Sequence, residues 1–180
     1  PEQVRLDSKL YYADTALGGY DFEAHIQSYE LDSDRMWRTL GELVVAKDYL
    51  FPDSVPFMSA MVADGFAPSV LSFGDTRFQK AKIQPYLATL AGGVAHDETT
   101  VYSPIGCEIV LQKKGQVIEA QHPNERGVLV DDIANQNLPP GFTEITIDRS
   151  RQDIVAALEL PNRYVVSGLE QALQLIRTLR

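Results

Sequence analysis

Three sets of residues in this chain carry side chains able to do chemistry. His96, Glu98 and His122 make up two imidazoles and one carboxylate, a donor set suited to a divalent transition metal. They meet only if the strand following Lys113-Lys114-Gly115 returns His122 to the neighbourhood of His96; otherwise they are loop residues. Cys107 is the second candidate, a nucleophile if either His96 or His122 activates it after folding. Its neighbours point the other way, because Ile105, Ile109 and Leu111 share its alternation, and a thiol among them behaves as a small buried hydrophobe with a raised pKa.

The third set follows from chain geometry. Ligands of open α/β sheets bind beyond the carboxyl ends of the strands, where helix N-termini offer free N–H groups to anions. Here those ends are Asp148-Arg149-Ser150-Arg151 and Ser167-Gly168. Arg149 or Arg151 could hold a phosphate or carboxylate through two parallel bonds, with Ser150 and the following helix adding donors. The plain alternative is that Ser150 and Ser167 only cap helices and the arginines are solvated.

No nucleophile elbow, phosphate-binding glycine loop, dinucleotide fingerprint, HExxH or kinase motif occurs, and no motif names a cofactor. Glu108, six residues and Gly115, with Pro139-Pro140-Gly141 later, resemble part of a cupin signature but lack its paired histidines before the glutamate; His96-Asp97-Glu98 with Pro104 and Cys107 resembles a zinc-deaminase pattern but lacks its second cysteine and is too closely spaced. One cysteine excludes an internal disulfide framework, which suggests a reducing, cytoplasmic setting. No apolar run is long enough to span a membrane, and the first residues carry no basic segment leading into an apolar one.

The formal charge is -9, and residues 1–60 hold eleven acids against five bases. That half would repel a nucleic-acid backbone, and aromatic residues do not alternate with basic ones, so nucleic acid is not an expected partner. An acidic face built on Glu23, Glu30, Asp32 and Asp34, with Tyr11, Tyr12, Tyr20, Tyr29, Trp37 and Tyr49 nearby, fits docking of a basic protein or self-association. Acidity also serves solubility alone. The first functional expectation is therefore a non-catalytic protein-binding domain: an adaptor, an immunity-type inhibitor or an assembly subunit. The alternative is a small-molecule hydrolase or transferase with a divalent metal or an anion pocket.

A chain of 180 residues reads as a single globular domain, 1–180, of α+β or mixed α/β class. Val4 to Tyr12 and Tyr20 to Ile26 alternate apolar and polar residues around Leu17-Gly18-Gly19, which predicts an N-terminal antiparallel hairpin. Helices are expected over 33–50, 57–63 and 75–91, the last interrupted by Pro85, with a strand over 69–73 between them. Val101 to Leu111 and Gln116 to Gln121 read as a central hairpin, and Val128 to Val130 as a further strand. The end of the chain reads as a β-α-β-α unit: strand 142–148, helix 150–160, strand 163–167 and helix 169–180, the last started by a Ser167–Glu170 capping box.

Overall fold

The computed structural model describes residues 21–46, 49–73, 75–90, 106–110, 114–134, 137–151 and 157–179, with backbone alone for 73, 88–90, 106–110 and 157–160. In chain order the elements are α1 (Phe22–Ser28), α2 (Ser33–Ala46), α3 (Ser54–Ala63), β1 (Ser69–Phe73), α4 (Thr76–Leu90), β2 (Gly106–Val110), α5 (Lys114–Gln121), β3 (Gly127–Asp131), β4 (Phe142–Ile147), β5 (Ala157–Leu160), β6 (Arg163–Val166) and α6 (Leu169–Thr178). Helices and strands are mixed, as expected. They fall into two compact units, one of 1–50 with 69–112 and one of 51–68 with 113–180.

In the first unit, the residues read as the second strand of the N-terminal hairpin form a helix, α1. The alternation of Phe22, Ala24 and Ile26 is overridden by a cap: Asp21 Oδ1 accepts the Ala24 N–H at 2.9 Å, and Ile26 alone of α1 is buried. The other predicted strand, 4–12, lies outside the described residues. The start of α2 is held by Asp32, whose Oδ1 accepts the Arg35 N–H at 2.6 Å. Glu23 then ties the two helices, accepting from the Ser33 hydroxyl at 2.8 Å and from Trp37 Nε1 at 2.7 Å. The Phe22 ring sits edge-on to Trp37 at 4.8 Å and against Phe78 at 5.3 Å, bringing α4 into the same cluster. Tyr86 locks the far ends of α2 and α4, donating to the Val44 carbonyl at 2.9 Å and accepting the Tyr49 N–H at 3.2 Å. Pro85 lies inside α4, which runs on through it.

The central hairpin is not formed. β2 instead pairs in parallel with β1, from Ser69↔Gly106 to Phe73↔Val110, with α4 as the connection. Residues 116–121, expected to be the return strand, belong to α5, which buries Gly115, Val117 and Ile118.

The second unit is built on a four-stranded sheet in the order β3-β4-β6-β5. β3, β4 and β6 are parallel, and β5 runs antiparallel to β6. The expected helix over 150–160 is absent at its end, because 157–160 is strand β5; residues 152–156 lie outside the described ones. Pro161 and Asn162, the latter at φ 61, make the turn between β5 and β6, and asparagine tolerates that left-handed backbone better than most residues. Alternation along the strands divides their side chains. Val128, Val130, Ile145, Ile147 and Val166 meet α3 and α6 through Phe57, Met61, Ala172 and Ile176. Full burial of Ile145, Val166 and Ile176 is worth about 1.5–3 kcal/mol each, which makes this face the main source of the unit's stability. The opposite face carries Glu144, 2% exposed and 3.0 Å from Arg163 Nε, and Asp131.

Candidate functional site

At the carboxyl ends of β3 and β4 lies a cavity of about 380 Å³, lined by Phe51, Asp132, Ala134, Thr146, Ile147, Asp148 and Arg149. Register explains the grouping: Asp131 pairs with Thr146, so the acid doublet that ends β3 comes level with the last turn of β4 and its Asp148-Arg149 extension.

Asp131 is the anchor, 8% exposed, with Oδ2 at 2.7 Å from Lys114 Nζ and Oδ1 accepting the Asp132 N–H at 2.9 Å. Lys114 belongs to the first turn of α5, and its side chain is itself only 16% exposed. Although Asp132 is exposed as a residue, desolvation of its carboxyl, together with a hydrogen bond to Asp131 and that neighbour's charge, pushes its pKa above the ordinary aspartate value. Asp148 behaves oppositely. Its Oδ1 accepts the Ser150 hydroxyl at 2.6 Å and the Ser150 N–H at 3.1 Å, and these bonds, with Arg151 nearby, hold its carboxyl below the ordinary value.

Arg149 is not a solvated anion receptor. Both guanidinium arms go to Asp53, at 3.0 and 2.9 Å, and the guanidinium lies 3.8 Å from the centre of the Phe51 ring. Asp53 also accepts the Leu169 N–H at 2.9 Å, the first free donor of α6. The anion expected at this helix start is thus supplied by the chain itself. Burial pushes the Asp53 carboxyl up, but the Arg149 hydrogen bonds, the Leu169 N–H and the Arg149 charge outweigh it and leave the pKa lowered. The Ser167–Glu170 capping box does not form: Gly168 is the cap residue, and Ser167 gives its N–H and hydroxyl to Gln171 Oε1 at 2.8 and 3.0 Å.

Other sequence-derived candidates are distributed differently. His96 and Glu98 lie outside the described residues, while His122 follows α5 with Nδ1 3.1 Å from Glu125 Oε1. Cys107 is in β2 of the first unit, its backbone opposite Val70, whereas His122 belongs to the second. Ser150 and Arg151 stand in the turn after β4, with the Ser150 hydroxyl committed to Asp148. Of the acids proposed for partner docking, Glu23 and Asp32 hold the α1–α2 junction; Glu30 and Asp34 are exposed.

Asp131, Asp132, Lys114, Asp53 and Phe51 were not among the sequence candidates. The Asp131-Asp132 doublet directly after an apolar strand was a usable signal. Lys114 was hidden by reading it as part of a hairpin turn, and Asp53 by its distance in sequence from Arg149 and Leu169. Among the described residues no group of three or more His, Cys, Asp and Glu side chains is placed to hold a metal. A scan against protein-family models and searches of curated proteins and of solved structures find no match to this chain.

Proposed function

We propose that the second unit binds a divalent cation of the Mg²⁺ type at Asp132 and Asp148, together with the phosphoryl group of a small molecule, as a phosphoryl hydrolase or transferase. One observation carries this reading. Lys114 and Arg149 are each bonded to another acid, Asp131 and Asp53, while Asp132 and Asp148 both line the cavity and bring two carboxylates to it, which the charges of Lys114 and Arg151 offset in part. Desolvation first, then the bond to Asp131 and that neighbour's charge, disfavour the ionised form of Asp132, and a bound cation would offset all three. Mg²⁺ commonly takes only one or two carboxylates and completes its shell with water and substrate phosphate oxygens, so two acids suffice. Lys114, bonded to Asp131 at 2.7 Å, is not part of the cavity's lining but adds positive charge beside Asp132. A cation held there would polarise the phosphoryl group, Thr146 would bound its seat, and Asp131 orients Lys114.

Calorimetric titration of the whole protein with Mg²⁺, then inorganic phosphate, tests the reading. Saturable Mg²⁺ binding that strengthens with phosphate and disappears in Asp132→Asn is expected. Absence of Mg²⁺ binding at millimolar concentration would remove it.

A protein-docking role for the first unit has separate support, since Tyr29, Leu31, Leu43, Val45 and Tyr49 are exposed there. The partner suited to it is a basic protein meeting Glu30 and Asp34. Charge reversal at those two positions should weaken capture of such a partner while leaving the fold intact; unchanged capture argues against the role.

A further inference from the structure

The four-stranded sheet of the second unit has two edges, and they are built differently. β5 closes one side: its pairing with β6 shifts register between Leu158 and Leu160, and Pro161 follows directly, an irregular edge on which a further strand cannot lie flat. β3 forms the other edge and carries neither device. Its register against β4 runs unbroken from Gly127↔Phe142 to Asp131↔Thr146. The Gly127 N–H donates to the Gly141 carbonyl at 3.3 Å, so the odd residues of β3 turn their backbone groups to β4, while Val128 and Val130 turn theirs outward. Among the described residues no strand pairs with those outward groups. Unmet backbone donors and acceptors in a row are a template for another strand. The charges flanking this edge are ordered. Arg126 stands just before the strand and Asp132 just after it, both exposed and both of the same parity as Val128 and Val130. The Arg126 guanidinium has no bonded partner among the described residues.

We infer that β3 is a dimer interface, paired antiparallel with β3 of a second copy about a two-fold axis at Leu129. In that register Val128 of each copy lies opposite Val130 of the other, exchanging N–H···O=C bonds, and Arg126 lies opposite Asp132 at both ends. An antiparallel partner for this edge needs an acid opposite Arg126, a base opposite Asp132 and β-branched residues between them; the same strand read backwards supplies all three. The pairing does not rest on the cation reading. A cation on Asp132 and Arg126 of the other copy would compete for one carboxylate, so the test is run with a chelator present. Sedimentation equilibrium of the whole protein over the micromolar range should give a mass rising from 20.0 kDa toward twice that value. Arg126→Glu should raise the dissociation constant about tenfold or more, because symmetry breaks two ion pairs at once, and Asp132→Lys should do the same. Arg126→Glu and Asp132→Lys combined should restore the wild-type constant, since opposite charges meet again; circular dichroism confirms that all three variants are folded. A mass of one chain at every concentration overturns the proposal. So does a dimer indifferent to both single reversals, or a double variant that associates as weakly as either.

Discussion

The residues that decide the second unit are carboxylates with opposite tasks. Asp53 is a structural anion: it neutralises Arg149, accepts the first free N–H of α6 and is partly shielded from water. Asp53→Ala is expected to cost about 2 kcal/mol, the scale of losing charge-assisted bonds and a helix-start acceptor together, read as a lower urea midpoint at unchanged slope. A loss under a few tenths of that would mean the Arg149 bridge contributes no stability. Glu23 does comparable work in the first unit. Bonds from Trp37 and Ser33 lower its pKa, with the Arg77 charge adding to them against some desolvation. Since Trp37 is the chain's only tryptophan, Glu23→Leu should change the emission maximum as the indole N–H loses its acceptor; an unchanged spectrum would count against that bond. For the same reason Glu23 is a poor probe of partner docking, whereas Glu30 and Asp34 are clean ones.

At the level of elements, glycines separate tolerance from constraint. Gly41 lies inside α2 with nothing within 4 Å of where a Cβ would stand, so Gly41→Ala should stabilise by about 1 kcal/mol through helix propensity, visible as a higher melting temperature. Gly141, just before β4, is the reverse: a Cβ there would collide with the Glu125 carbonyl, and Gly141→Ala should unfold or severely destabilise the second unit. Legibility in the sequence follows the same division between local and distant causes. β1, β3, β4, β6, α2, α4 and α6 were readable because each carries its own period and termini. α1 was missed although Asp21 before Phe22 was a readable cap, and β5 was missed although Pro161-Asn162 marks a turn between two short apolar runs. α5 had no such local sign, since adjacent Val117 and Ile118 favour a strand and only tertiary burial makes them helical. The site was half legible: its place at the carboxyl ends of the strands and the presence of Asp148 and Arg149 followed from chain order. That Arg149 would be consumed by Asp53 did not, because that pair is joined only by the folded chain.

Across the whole molecule the pKa directions combine into a pH profile with a definite shape. Asp53, Asp148 and Glu23 have lowered values, so the unfolded chain binds protons that the folded one refuses; their stabilisation is present above the ordinary carboxylate range and lost as pH falls through the folded values. Asp132 has a raised value and the opposite sign: it favours the folded state below its ordinary value and withdraws that support as pH rises through its folded one. Stability should therefore peak just above the ordinary carboxylate range and decline slightly toward neutrality, where a net charge of -9 adds self-repulsion. Asp132→Asn should abolish the part of the decline due to this carboxyl, raising neutral stability by less than about 1 kcal/mol because the residue is exposed and screened. A bound cation should do the same by favouring the ionised carboxyl, and more strongly, since ligand at a hundred times its dissociation constant contributes about 2.7 kcal/mol. Melting curves between pH 4 and 8, with and without Mg²⁺, separate the two effects. Mg²⁺ should raise the wild-type melting temperature near pH 7, lose that effect as Asp132 protonates, and have none in Asp132→Asn. An equal Mg²⁺ shift in the variant would locate the cation elsewhere, as general screening of an acidic surface rather than a ligand of Asp132.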